Sequence, residues 1–165
     1  MAGAAVVNTS PLIFLGKLAR LEALEVFDRV YTTPEALREV MAGAPEGHGE
    51  ALAVQAAVER GAITIRRAPA QASPPPGLGP GELSVLALAR RVDDATVVVD
   101  DLAAIKAARG VGLRVRSTPF ILLDNIEAGR MDPEEFGEVL DSLLRAGYFM
   151  GPRLYMALRD AAGRL

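Results

Sequence analysis

Two adjacent carboxylates, Asp100 and Asp101, follow the apolar run Thr96-Val97-Val98-Val99. Acids in that position have two chemistries. One Asp can cap the helix that follows, worth about 1 kcal/mol, and a single Asp suffices for that. A second acid is then free to bind a divalent cation through oxygen. Other oxygen-bearing candidates are Asn8, Thr9 and Ser10, then Glu39, Glu82, and Ser117 with Thr118. Each also has an ordinary structural use. Asn8 suits a turn or cap, Glu39 a solvated helix face, and Glu82 the first turn of a helix, where the dipole favours an acid.

What the sequence lacks narrows the chemistry. The 165 residues include no Cys, which removes disulfides, thiol nucleophiles and thiolate metal sites. The single histidine, His48, lies in the loop-like stretch Gly43-Ala44-Pro45-Glu46-Gly47-His48-Gly49. A two-His zinc site is impossible, and a Ser-His-Asp triad would have to use this one loop residue. Any metal therefore sits among oxygen ligands, the preference of Mg²⁺ or Mn²⁺. The net charge of −3 gives no global attraction to nucleic acid. Arg66, Arg67, Arg114 and Arg116 near strand ends suit either phosphate contacts or exposed sheet edges.

The elements that must position these residues alternate. Ala4-Ala5-Val6-Val7 reads as a short strand, and Ser10 before Pro11 as the N-cap of a helix with Leu12, Ile13, Leu15 and Leu18 on its apolar face. A helical stretch from Leu21 to Phe27 leads to an extended piece, Val30-Tyr31-Thr32. Thr33-Pro34-Glu35 opens a helix carrying Glu39. A helix from Glu50 to Arg60 and a strand at Ile63-Thr64-Ile65-Arg66 follow. Pro69 to Pro80 is an extended loop whose glycines lack the Lys-Ser/Thr ending of a phosphate-binding loop. Pro80-Gly81-Glu82 begins an Ala/Leu-rich helix that must be mostly buried.

Thr96 to Val99 has no polar alternation, so it suits a strand covered on both faces. The helix Leu102 to Gly110, the strand Leu113 to Arg116, and helices from Pro119, Asp132 and Gly151 complete the chain, and no internal repeat is present. The order predicts a three-layer α/β/α sandwich with a mostly parallel, five-stranded sheet. It also predicts a single domain over residues 1–165, with a helical extension from about residue 130. No charge-free apolar run is long enough to span a membrane, so a cytoplasmic, non-membrane protein is expected. Asn8, Asp100 and Ser117-Thr118 fall at carboxyl ends of strands, the edge where open α/β sheets bind ligands.

Asn8-Thr9-Ser10-Pro11-Leu12-Ile13 with Gly16-Lys17-Leu18, then Glu39, Gly81-Glu82 and Val98-Val99-Asp100-Asp101, resembles the PIN-domain nucleases. The likeness is greatest to the PIN-like branch of prokaryotic toxin–antitoxin pairs and runs from the first strand to about Gly129. It implies a cluster of acids that holds Mg²⁺ or Mn²⁺ and hydrolyses RNA phosphodiesters. Asn8 matches the first acidic position, Glu39 the second, Glu82 the third and Asp100 the fourth, with Asp101 beside it. Thr9 or Ser10 and Ser117 or Thr118 match polar positions near the metal. The resemblance further implies that the first and fourth strands are neighbours.

Two carboxylates about 4 Å apart repel by roughly 4 kcal/mol at an effective dielectric of 20, so a true cluster needs a cation. Asn8 departs from the family pattern: its amide oxygen can coordinate, but it adds no charge and cannot act as a base. Three readings follow. The resemblance implies an endoribonuclease toxin, with an antitoxin protein and a homodimer as possible partners. A second reading is a catalytically impaired PIN-like module that binds protein or RNA. A third, a receiver-type phosphorylation domain, needs an Asp after the third strand and a Lys after the fifth, where this sequence has Arg66-Arg67 and Arg116.

Overall fold

A computed structural model describes residues 3–43 and 47–165. Ala44, Pro45 and Glu46 of the glycine-rich loop lie outside the described residues. Five strands form one parallel sheet: β1 (Ala4–Val7), β2 (Arg29–Thr32), β3 (Thr64–Ile65), β4 (Ala95–Val98) and β5 (Arg114–Arg116). Their order is β3-β2-β1-β4-β5, so β1 and β4 lie side by side in the centre with Val7 opposite Val98.

Both central strands are fully buried, and side-chain alternation explains why neither alternates in polarity. Ala5, Val7 and Val98 face one core, whereas Ala4, Val6, Val97 and Val99 face the other. The first core is closed by α1 (Thr9–Lys17), α3 (Gly49–Glu59), α6 (Thr118–Glu127), α7 (Pro133–Arg145) and α8 (Pro152–Ala162), through side chains such as Leu15, Val54, Ile121, Phe136 and Leu158. The second is closed by α4 (Pro80–Ala89) and α5 (Leu102–Gly110), with Ala36 of α2 (Pro34–Met41). This is a three-layer α/β architecture. Among the described residues, no helix is long and apolar enough to cross a membrane.

Local sequence sets several boundaries. Thr33 caps α2 by accepting from the Ala36 N–H at 3.1 Å, with Pro34 at the first helical position. Asp132 caps α7 through the Glu135 N–H at 2.8 Å. One expectation is corrected at α1. The helix starts at Thr9, and Asn8, with extended backbone, occupies the cap position assigned to Ser10. Pro11 then falls within the first turn, where its missing N–H would have had no intrahelical partner. The third strand is also shorter than read, because Ile63 and Arg66 flank a two-residue pairing with β2.

Candidate functional site

Three parallel neighbours deliver polar residues to one edge. Asn8 follows β1, Asp100 comes two residues after the last residue of β4, and Ser117 and Thr118 follow β5. The backbone keeps the ends in step: the Asn8 N–H donates to Val98 O at 3.0 Å, and the Val99 N–H to Arg116 O at 2.9 Å. Above this edge lies an open cleft of about 720 Å³ lined by Asn8, Thr9, Ser10, Glu39, Glu82, Asp100 and Asp101, together with Ile13, Phe14, Leu102, Tyr148 and Phe149. Residues far apart in sequence thus share one cavity.

The adjacent aspartates take different partners. Asp101 caps α5, accepting from the Ala104 N–H at 2.9 Å. Asp100 turns toward α6, where Oδ1 accepts from the Thr118 N–H at 2.8 Å and Oδ2 from the Thr118 hydroxyl at 2.6 Å. The Tyr148 hydroxyl adds a third bond to Oδ1 at 2.8 Å. Burial nevertheless pushes the Asp100 carboxyl above its usual range, against the lowering effect of its partners, which include the Ser10 hydroxyl. Burial and the Asp100 charge push the Tyr148 phenol far up, so it stays protonated and donates.

Glu39 and Glu82 meet at the amino end of α4. Glu82 reaches back to the Gly79 N–H at 2.7 Å, half of a capping box. Glu39 accepts from the Gly81 N–H at 3.0 Å and from the Thr9 hydroxyl at 2.6 Å. Gly81 makes this docking possible, because a Cβ there would stand 2.6 Å from Glu39 Oε2. The helix carrying Glu39 is tied to α4 a second time. Thr33 and Ser84 hydroxyls are 2.7 Å apart, and Ser84 donates to Gly81 O at 2.7 Å.

Every carboxylate of the cleft therefore rests on N–H donors at a helix amino end: α4 for Glu39 and Glu82, α5 for Asp101, α6 for Asp100. Such ends carry about half a positive charge, which offsets the repulsion among the acids without a shared cation. In keeping with this, no three Asp, Glu, His or Cys side chains among the described residues close on one point as metal ligands do. The fit to a divalent cation rests on the kind of donor and on Asn8. All polar donors here are oxygens, as Mg²⁺ and Mn²⁺ prefer. Asn8 is 3 % exposed, and its Oδ1 is buried with no hydrogen-bond partner. An unpaired buried carbonyl costs about 1–3 kcal/mol, so this atom is a vacant acceptor in the cleft wall.

Thr118 and Tyr148 are the direct holders of Asp100. Thr118 was legible as a polar strand-end residue, but Tyr148 was not. It sits between α7 and α8, 48 residues beyond Asp100, in a connection with no periodicity to reveal where it folds back. His48 stands away from the cleft, exposed at the start of α3 with Glu50 at 3.2 Å. The arginines at strand ends are largely engaged within the fold. Arg116 bonds Asp124 at 3.0 Å, Arg114 pairs with Asp94, and Arg66 lies over the Tyr31 ring.

Residues 4–164 match a family model described as a PIN domain. No curated protein matches the sequence. Among solved structures, the fold is similar to a PilT N-terminus domain protein of the hyperthermophilic archaeon Sulfolobus solfataricus P2. The two share 19 % identity at a TM-score of 0.54, over 75 % of this chain and 94 % of that one.

Proposed function

This chain belongs to the PIN-domain family, and from that premise we propose that it is a divalent-metal-dependent endoribonuclease, the toxin of a toxin–antitoxin pair. The observation that carries the reading is the vacant Asn8 Oδ1 in the cleft shared with Glu39, Glu82 and Asp100. These four residues are the ones that would hold Mg²⁺ or Mn²⁺. When bound, the cation supplies Lewis-acid stabilisation of phosphate charge and a water of lowered pKa. The chain's own residues supply the frame. Thr118 and Tyr148 fix the Asp100 carboxylate, and Thr9 with Gly81 fixes Glu39. Asp101 caps α5 through Oδ2 and keeps its other carboxylate oxygen for the cation. His48 does not line the cleft, so no imidazole serves there as a base. The protein works in the cytoplasm, and an antitoxin peptide covering the cleft would silence it.

A second reading is favoured by a specific observation. No three acids converge among the described residues, and Asn8 brings no charge where the resemblance places an acid. A PIN-like module that binds RNA or protein without cutting fits that geometry. Thermal melts with and without Mn²⁺, on the wild type and Asp100→Asn, separate the two together with cleavage of a labelled single-stranded RNA. A ligand that binds only the folded state raises stability by RT ln(1 + [L]/Kd). The nuclease reading expects a Mn²⁺-dependent rise in Tm and Mn²⁺-dependent cleavage, both lost in Asp100→Asn. An unchanged Tm and intact RNA would leave the non-catalytic module.

A further inference from the structure

A second cavity lies toward the other end of α4. Glu82 stands in the first turn of that helix, at the acidic cleft, and Arg90 follows its last residue, about 12 Å further along at 1.5 Å per residue. Here a groove of about 650 Å³ runs between α4, α5 and the proline-rich segment that precedes α4. Leu86, Ala87 and Ala107 give it an apolar floor, with Val111 beside them. Arg90 and Arg91 also line it, and among the described residues no acid does. Its volume falls in the range of roughly 300–1,000 Å³ that small-molecule sites occupy.

The two arginines have no use within the fold. Carbonyls at the end of α4 are taken by the backbone: the Arg90 N–H donates to Leu86 O at 3.2 Å and the Arg91 N–H to Leu88 O at 2.9 Å. Among the described residues, neither guanidinium makes a hydrogen bond or an ion pair. The helix dipole accounts for a cation at this end. It does not account for Gln71, which lines the same groove from the proline-rich segment with its Oε1 buried and unpartnered. The Gln71 Nε2 donates to nothing among the described residues either. An unpaired buried amide destabilises a fold, and a missing partner explains one.

The segment carrying Gln71 can shift. From Arg67 to Pro74 no backbone group makes a hydrogen bond among the described residues, and the packing of Ala68 and Leu78 holds the segment near its ends. A nucleotide has the pieces that match this groove. Its phosphate oxygens suit the guanidinium forks, its flat base suits the apolar floor, and the base edge suits an amide that offers both donor and acceptor. An acidic peptide would meet the arginines but brings no planar face to the floor.

We propose that this groove is a binding site for a free nucleoside diphosphate, separate from the acidic cleft. Arg90 and Arg91 take one phosphate each, the base lies on Leu86, Ala87 and Ala107, and Gln71 bonds the base edge once the segment above it moves to admit the ligand. The site does not depend on the ribonuclease reading.

Isothermal titration in EDTA, which keeps phosphates from meeting a cation in the cleft, tests it with ADP, GDP, CDP and UDP. Pyrophosphate and a single-stranded oligoribonucleotide without terminal phosphates are titrated beside them. At least one diphosphate should bind, and Arg90→Ala and Arg91→Ala should each weaken it about tenfold or more, the scale of one charge-assisted hydrogen bond. Gln71→Leu distinguishes a ligand contact from a structural one. It should weaken binding several-fold while the free protein melts at or above the wild-type temperature, because no bond of the fold is lost.

Binding by none of the four diphosphates, or binding unchanged in both arginine variants, overturns the proposal. So does pyrophosphate bound as tightly as the best diphosphate, which would leave an anion site with no place for a base. An oligoribonucleotide that binds through Arg90 and Arg91 where no free nucleotide does also overturns it, as does a Gln71→Leu protein that melts lower than wild type and binds equally well.

Discussion

Thr118 holds Asp100 with two different groups, its backbone N–H on Oδ1 at 2.8 Å and its hydroxyl on Oδ2 at 2.6 Å. One residue thereby fixes both oxygens of the carboxylate and its plane. The N–H contact belongs to the first turn of α6 and survives any side-chain change. The hydroxyl contact does not.

Thr118→Val keeps the shape and removes only the hydroxyl. A hydrogen bond to a charged group is worth about 1.5–3 kcal/mol, and its loss leaves Asp100 Oδ2 with less support in a buried setting. RNA cleavage should fall about tenfold or more, with a drop in Tm that reflects part of the same loss. Initial rates and a thermal melt on the same preparation check this, and unchanged rates would show that Asp100 needs no second anchor.

Tyr148→Phe removes the third bond to Asp100 and keeps the edge-on contact with Phe14. This too is a bond to a charged group, worth up to about 1.5–3 kcal/mol, and the two Thr118 contacts that remain take over part of it. Cleavage should drop several-fold while the variant melts within a few degrees of wild type. A loss as large as that of Asp100→Asn would instead make the phenol part of the chemistry.

Gly81→Ala separates folding from function. The added methyl would stand 2.6 Å from Glu39 Oε2, and the atom it meets is the mobile end of a long side chain. Ala also favours helix over Gly by about 0.5–1 kcal/mol. The variant should melt within a few degrees of wild type, since the helix gain offsets part of the lost Glu39 bond, while RNA cleavage falls at least tenfold, because Glu39 is driven off the Gly81 N–H. A loss of both stability and activity would mean that α4 moved and not Glu39.

Asp124 gives a pH signature away from the cleft. Burial raises its carboxyl above the ordinary 3.8, with Arg116 pulling the other way. The folded protein then holds the proton to higher pH than the unfolded chain does. Stability from this group is complete below the unfolded value and is lost as pH rises through the folded one. Asp124→Asn keeps an acceptor for Arg116 Nε and removes that loss. Tm of the variant minus Tm of wild type should grow as pH climbs past about 4, and a difference that is flat with pH would refute the assignment.

The parallel sheet and the cleft edge were legible because the physics is local and strong. Val97, Val98 and Val99 show no polar alternation, since both faces of β4 are covered, and that alone marks a central parallel strand. The Asp pair was legible as a helix cap with an acid to spare, but not as which of the two caps α5. That choice depends on α6 arriving beside Asp100, a contact 18 residues away that no spacing encodes. Ser10 was misread as a cap because Ser-Pro fits the start of a helix locally, whereas pairing of β1 with β4 sets where the strand ends and the helix begins. Tyr148 left no trace in the sequence, because an aromatic residue in a short connection has no period to place it.

The cleft draws on residue 8 at one end of the chain and residue 148 near the other, with Glu39, Glu82, Asp100 and Thr118 between them. Such a site has no local version. A nascent chain emerging from the ribosome can pair β1 with β2 early, but β1 cannot meet β4 until residue 98 is synthesised, and Asp100 gains its phenol only after Tyr148. Contacts of this sequence separation form late in folding. The cleft is completed only once the segment through Tyr148 has been made.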